Sequence, residues 1–472
     1  MAPMTDLTVH PPPRGTLAAR LAGWGLVAGS TLIILVLTLT PAGPQHQLAT
    51  PIQLCVICGE FGLANLLRNV LLFVPLGLGL GLIIRRPMLA WLPALALTLV
   101  VEAVQIFVPG RNPLPIDVLA NGAGAALGVL FLVSLRVTLP ADGLFRDPSP
   151  AGPPTDQTPP RRTPGTVRLA LTGWILLPFG ALTATAVAFQ LQPPTPPHFV
   201  QITPSLGHLE TYRGQVREAR LAGEALHIGR HPDPDRLENH LFGGARLDAE
   251  VQVGPPPLRL APLVSVYTGA QRELFLLGAH RHDVVLRLPY RATHLRLHPP
   301  DLRLPGGLEG MAPGRETSLS FWMEAAPERP SSGLRTSAGA CLAAAHRAAC
   351  DLRPGIRDGW SLLYPATRLH HRLRQPVGVL WLLGLGFLPG LVARSALRAG
   401  GLAAGLTAFA WVVPWATGSM AWARLPDLAL LAGGAALGAL VRRGLRHLYA
   451  GGPLTTPVAP PQHRGSAPPE TA

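Results

Sequence analysis

The chain has few charged residues and no lysine. Only 14% of its 472 residues are charged, while 48% are hydrophobic; an ordinary soluble globular protein has roughly 25% charged residues. All 40 basic residues are arginines, and they raise the formal net charge to +14. These arginines are not clustered on one soluble face, as a nucleic-acid interface requires. The composition therefore argues against a typical soluble protein and against a nucleic-acid partner.

Long apolar segments replace the missing charge. A helix that spans a bilayer needs about 20 apolar residues. Eight such segments occur, at residues 21–40, 69–84, 88–108, 116–135, 169–191, 377–393, 400–422 and 428–441. Residues 21–40 exceed the 7–15 apolar residues usual in a cleaved signal peptide, so we expect this helix to be retained. With alternating helices, the arginines at the helix ends fall on one side, as the positive-inside rule requires of the cytoplasm.

The sequence thus predicts a polytopic α-helical membrane protein with about eight transmembrane helices and cytoplasmic termini. Residues 137–168 and 447–472 are rich in Pro, Ser and Thr, which is typical of disordered segments. The predicted units are a cytoplasmic N-terminus (1–20), a four-helix domain (21–136), a disordered linker (137–168), helix five (169–191), an extracytoplasmic domain (192–373), helices six to eight (374–446) and a disordered tail (447–472).

The inserted domain at 192–373 alternates apolar and polar residues in short runs, which predicts β-strands in an extracytoplasmic β-sandwich. A run ending at Tyr267, followed by 273–277 and 284–288, resembles the laminin-G or concanavalin-A-like sandwich, with a match over 220–326. That resemblance implies a glycan or protein ligand outside the cell. The run "THLRLHPPDLRL" is expected to form strands as well.

Metal and disulfide chemistry is limited by the residues available. We interpret His280, His282, His294 and His298 as solvent-exposed residues near turns, so no metal site is expected. Cys341 and Cys350 lie nine positions apart in the exported domain, which favours a structural disulfide in an oxidising compartment. Cys55 and Cys58 form a C-x-x-C pair without the βαβ context of a redox motif, so a local or cross-domain disulfide is favoured. Four cysteines allow three pairings, and the sequence does not choose among them.

Seven polar residues interrupt the apolar helices of the first domain. They are Arg68, Asn69, Glu102, Gln105, Arg111, Asp117 and Asn121. Spacings of three or four residues place Glu102 with Gln105, and Asp117 with Asn121, on common helix faces. Glu102 is expected about 9 Å below the end of its helix, where a carboxylate needs partners. Arg68 and Arg111 are the expected partners, and Gly124 with Gly128 forms a GxxxG face for close helix packing.

A weak repeat relates the two sets of four helices. The stretch from Asp117 to Gly128 aligns without a gap to the stretch from Asp427 to Gly438, and "FVPLG" at 73–77 has a looser echo in "FLPGL" at 387–391. Coincidence between Ala/Gly/Leu-rich helices is the alternative explanation. A true repeat would have both halves enter the membrane in the same direction, as in some transporters.

The first domain resembles the VanZ-like membrane family. The pattern Asn, Phe-x-Pro-x-Gly, Glu-x-x-Gln, Arg and Asp-x-x-x-Asn-x-x-Gly-x-x-x-Gly is present as Asn69, Phe73, Pro75, Gly77, Glu102, Gln105, Arg111, Asp117, Asn121, Gly124 and Gly128. The resemblance covers residues 20–136. It implies a bacterial plasma (inner) membrane protein, and the family is named for a member associated with resistance to the glycopeptide teicoplanin.

Three roles remain open for the polar residues. They could bind a lipid-linked or amphipathic envelope molecule, fasten helices together, or act as acid and base in an enzyme. The motif contains no Ser, Cys or His and no nucleotide loop, so a non-enzymatic envelope role without a cofactor is favoured. A transporter or flippase of an envelope lipid is the first alternative, and a membrane enzyme acting on a lipid-linked substrate is the second.

Overall fold

The computed structural model describes residues 14–41, 57, 59–84, 86–109, 111, 114–138, 165–206, 209–269, 272–324, 339–369 and 371–450. Cys55, Cys58, most of the predicted linker and the end of the predicted tail lie outside these described residues. The first helices are α1 (Arg14–Leu39), α2 (Gly62–Ile83), α3 (Pro87–Ala90), α4 (Leu92–Gln105), α5 (Pro115–Thr138) and α6 (Gly165–Ala188).

Seven helices within the described residues are long and apolar enough to cross a membrane. The third predicted crossing differs, because it is divided between α3 and the 14-residue α4. Pro87 and Pro93 stand in the first turns of these two helices, where the missing N–H of proline costs no helical hydrogen bond, so each proline favours a helix start. The break falls at Trp91. Helix α4 also ends at Gln105, three residues earlier than expected.

Helices α2 and α5 pack closely and run in the same direction. An added Cβ at Gly124 would meet Val70, and one at Gly128 would meet Val74, so residue numbers increase together along the two helices. Two parallel helices require a return segment between them. α3 and α4 supply it, with a combined length of about 27 Å.

The inserted domain contains β1 (His198–Ile202), β2 (Gln215–Leu221), β3 (Glu224–Ala225), β4 (Gly229–Arg230), α7 (Pro234–Phe242), β5 (Leu247–Gln252), β6 (Ala261–Thr268), β7 (Glu273–His280), β8 (Asp283–Arg287), α8 (Arg291–His294), β9 (Asp301–Leu304), β10 (Glu316–Met323), β11 (Ala340–Ala344) and β12 (Arg347–Leu352). The strands form two antiparallel six-stranded sheets, ordered β4-β1-β6-β7-β8-β9 and β12-β11-β10-β5-β2-β3. The rings of Phe275 and Phe321, from β7 and β10, meet at 4.9 Å in the shared core. The predicted β-sandwich insertion is therefore confirmed.

One predicted strand is wrong. The segment "THLRL" lies in and after α8, and Arg296 adopts a positive φ that ends this turn. Its leucines mimic alternation, yet Leu295 is 36% exposed while Leu297 is buried. The chain enters a strand only at Asp301.

The remaining membrane helices are α9 (His371–Val392), α10 (Ala396–Thr417) and α11 (Leu425–Ala450). The sandwich is seated on the helices of both halves. A 3-10 helix at Ile356–Leu362 packs on α9, where the Trp381 indole donates to the Ile356 carbonyl at 3.2 Å. On the other half, His298 stacks on Phe61 at 4.0 Å, just before α2.

The repeat is visible in the helix packing. An added Cβ at Gly128 would lie 2.7 Å from the backbone nitrogen of Leu78 and 3.1 Å from the carbonyl carbon of Gly77. An added Cβ at Gly438 would lie at the same two distances from the backbone nitrogen of Leu391 and the carbonyl carbon of Gly390. Helices α9 and α11 are thus packed in parallel as α2 and α5 are, with α10 returning between them. The structural register pairs Val74, not Phe73, with Phe387. The alignment of the segments 73–77 and 387–391 in the sequence is therefore shifted by one residue relative to the structure.

Candidate functional site

Glu102 and Asp117 come together across the short connection between α4 and α5. The Leu114 backbone N–H donates to Glu102 Oε2 at 3.2 Å, and Asn69 Nδ2 of α2 donates to Asp117 Oδ1 at 2.7 Å. The two carboxylates are close enough to interact electrostatically. Asp117 stands in the first turn of α5, where the helix dipole stabilises negative charge. The site thus has two acids at the ends of two helices.

Glu102 lies nearer the helix end than the sequence predicted. Because α4 ends at Gln105, Glu102 is about 4.5 Å from the end, half the expected depth. Both Glu102 and Asp117 are partly exposed. A polar group from outside can therefore reach them more easily than it could reach a carboxylate at the bilayer centre.

A second polar layer lies one turn further along the same helix faces. Asn121 Nδ2 donates to Thr98 Oγ1 at 2.7 Å, and both residues are buried. Within the described residues, Asn121 Oδ1 has no hydrogen-bond partner although Asn121 is only 3% exposed. The sequence reading missed Thr98, yet its position four residues before Glu102 places it on the same helix face.

Arg111 does not meet Glu102, contrary to expectation. Its guanidinium donates to the Thr40 carbonyl at 3.1 and 2.9 Å and to the Leu37 carbonyl at 2.6 Å. Gln105 likewise donates to the Thr38 carbonyl at 3.1 Å. The last carbonyls of a helix have no partner within the helix, so Arg111 and Gln105 close the end of α1.

Arg68 interacts with Asn65 and with Asp117. Its guanidinium donates to the Asn65 side chain, and its charge also acts on Asp117. Because Arg111 is directed to α1, it does not neutralise the two carboxylates. The site is therefore rich in hydrogen-bond acceptors.

Gly124 and Gly128 hold α5 against α2. An added Cβ at either position would lie less than 3.0 Å from a backbone oxygen of α2, that of Val70 or Val74. Glycine is required for this approach, because no side chain could rotate out of the way. The contact fixes Asn69 opposite Asp117.

The first membrane domain also has an apolar groove. It is a cavity of about 330 Å³ between α1 and α2, lined by Gly25, Leu26, Gly29, Ser30, Ile33, Leu71, Leu72 and Pro75. None of the polar cluster residues belongs to this lining.

In the inserted domain, the burial of the histidines differs in part from the expectation. His280 and His298 are buried rather than solvent-exposed, and His282 is exposed as expected. Burial, with the neighbouring Arg303 charge, lowers the pKa of His280 to about 4. Among the described residues, the one His/Cys/Asp/Glu group with metal-like spacing is Glu324 with Cys341 and Cys350. Those two cysteines are joined in a disulfide, which removes them as thiolate ligands.

One comparison with known proteins identifies the family of the first membrane domain. Residues 28–136, which carry α4, α5 and the whole polar cluster, match the VanZ/LLP1 family model. No curated protein and no solved structure shows significant similarity to the chain. The first membrane domain of this protein is therefore a VanZ/LLP1 domain.

Proposed function

We propose that the protein has a non-enzymatic role in the cell envelope, and that its VanZ/LLP1 domain binds a lipid-linked or amphipathic molecule. The observation that carries this proposal is a partly exposed cluster of acceptor groups in a domain that also has an apolar groove. Glu102 and Asp117 are partly exposed, and the groove lies between α1 and α2. An amphipathic ligand would place its polar group at the carboxylates and its hydrocarbon chain between α1 and α2.

The arginines at the helix ends support a location at the outer leaflet of the plasma membrane. If they face the cytoplasm, α4 ends and α5 begins on the opposite side. The sandwich then lies above the site and offers a surface to a glycan or protein. A cavity of about 450 Å³ beside β4, lined by Arg230, His231 and prolines, is the proposed place for that ligand.

Lipid co-purification tests the proposal. We expect one lipid class to be enriched by the wild type in mild detergent and lost in folded Glu102→Gln and Asp117→Asn variants. Arg111→Ala is the control: it should lose thermal stability and keep the lipid, since Arg111 binds α1 carbonyls. An unchanged lipid profile in destabilised Asp117→Asn would mean that the cluster only fastens helices.

The groove can be tested separately. A side chain at Gly29 would meet no atom within 4 Å at its Cβ, and the same is true of the exposed Gly173 on α6. Gly29→Leu should fill the groove and displace the lipid, while Gly173→Leu should not. Equal lipid content in both variants would exclude the groove.

A transporter or flippase is a second candidate, because the parallel repeat provides the architecture seen in some transporters. This role predicts that the wild type moves a labelled envelope lipid across a reconstituted bilayer and that Glu102→Gln stops it. Binding without movement would favour the first proposal. The family name adds a cellular readout, a change in teicoplanin sensitivity when the gene is deleted.

A further inference from the structure

The second half of the membrane domain contains an equivalent of Asp117. Asp427 stands in the first turn of α11 as Asp117 does in α5. The Asp117 N–H bonds to the Leu114 carbonyl and the Asp427 N–H to the Arg424 carbonyl, both at 2.9 Å. Together with the matching glycine contacts, these bonds make the two aspartates structural counterparts.

Asp427 already forms an ion pair with an arginine of the same chain. Arg357, in the 3-10 helix of the inserted domain, donates from Nε to Asp427 Oδ1 at 2.8 Å, and its terminal nitrogen bonds the same oxygen. Asp427 is 7% exposed. The Trp381 indole donates a hydrogen bond to the carbonyl of Ile356, the residue before Arg357. This bond helps to hold Arg357 over α11. A guanidinium thus fits an aspartate in this position.

The amide positions around the two aspartates differ. When the two helix pairs are aligned by their matching glycine contacts, Asn69 corresponds to Leu382 and Asn121 to Leu431. Both leucines are fully buried. The second site therefore offers one acid and takes one guanidinium. The first site keeps two amides, adds Glu102 and leaves Asn121 Oδ1 without a partner among the described residues. The hydrogen bonds to the two acids of the first site come from Asn69 of α2 and from the backbone of Leu114 in the α4–α5 connection.

We propose that the site formed by Glu102, Asp117 and Asn121 binds the cationic nitrogen of an amphipathic ligand, an ammonium or guanidinium group. The inference rests on the proposed function and names the chemistry of its ligand. Carboxylates and an amide oxygen accept hydrogen bonds, and such cations supply several donors. The charge of Arg68 acts on Asp117, so the ligand's cation would add a partner for Glu102. Arg357 shows within the same molecule how such a group is held.

Binding of labelled decylguanidinium tests this inference. The protein would be placed in phosphatidylcholine nanodiscs, with empty nanodiscs subtracted, and bound probe counted per chain. We expect one saturable site in the wild type and at least tenfold weaker binding in Asp117→Asn. Arg357→Ala should add a second binding site for the probe at Asp427. The double variant Arg357→Ala with Asp427→Asn should again bind one probe molecule per chain. Each variant is accepted only if it elutes as a single folded species.

Two comparison probes with the same chain, decyl sulfate and decyl maltoside, separate the possible failures. If either binds saturably and is lost in Asp117→Asn while decylguanidinium is not bound, the site takes a ligand but not a cation, and only this inference fails. If none of the three probes binds saturably, the proposed function fails with it. Equal decylguanidinium binding by wild type and Asp117→Asn also overturns the inference, even if Arg357→Ala does not fold.

Discussion

Alanine at Gly128 and at Gly438 should destabilise the protein by similar amounts. The new methyl at Gly128 would lie within 3.0 Å of both Val74 O and Leu78 N, and the methyl at Gly438 within 3.0 Å of Phe387 O and Leu391 N. These are backbone atoms, so the helix pair must separate. Overpacking of this kind costs about 1–3 kcal/mol, while alanine recovers at most roughly 0.5–1 kcal/mol of helix propensity. We expect a net loss of roughly 1–2 kcal/mol for each variant.

The free energy of unfolding would be measured by titrating the detergent-solubilised protein with SDS and following helix content. Gly122→Ala is the matched control on the same helix, because its methyl would meet only the flexible end of Leu95 at 3.5 Å. It should be neutral or slightly stabilising. If Gly128→Ala destabilises and Gly438→Ala does not, the two helix pairs are not packed alike. If neither destabilises, the close approach itself is refuted.

Three further predictions follow from the contacts. Arg111→Ala removes three hydrogen bonds to the end of α1 and should cost about 1–3 kcal/mol, measured by thermal unfolding; an unchanged melting temperature would contradict its capping role. His280 has its pKa lowered from 6.5 to about 4, so its contribution to stability is complete above pH 6.5 and is lost as the pH falls toward 4, by at most about 3 kcal/mol. His280→Gln should flatten this part of the pH–stability curve and leave the slope from His198 and His294, whose pKa values burial also lowers; an unaltered curve would refute the assignment. Reducing the Cys341–Cys350 disulfide, which closes a loop with a sequence separation of nine, should cost about 2–3 kcal/mol, and Cys350→Ala should reproduce the lowered stability of the β11–β12 hairpin in hydrogen exchange.

Apolar segment length predicted the membrane helices well, because the requirement to span a bilayer acts on each segment alone. The same reasoning missed the break at Trp91. Pro87 and Pro93 are both inside or beside the apolar segment, and a hydropathy pattern is insensitive to proline. The shorter α4 then changed the depth of Glu102.

Pairing opposite charges by sequence failed for Arg111 for a different reason. The expectation considered only the nearest carboxylates and ignored the unpaired carbonyls at the end of α1. Within or near a membrane, those carbonyls have little water to bond to, so a guanidinium with several donors is directed to them. Whether a loop brings an arginine to a helix end or to a carboxylate depends on tertiary contacts that spacing does not reveal.

The repeat explains why the two halves carry different polar residues. The inserted domain lies between α6 and α9, the place that corresponds to the connection between α1 and α2. That insertion supplies Arg357 to Asp427. Once the charge of Asp427 is balanced by an internal arginine, the surrounding amide positions need no polar side chain, and leucines at 382 and 431 add apolar burial there. In the first half no such insertion separates the helices, and the amides at 69 and 121 persist beside Asp117. The difference between an occupied acid among leucines and a partly exposed acid among amides is what makes the first half the place to look for a ligand.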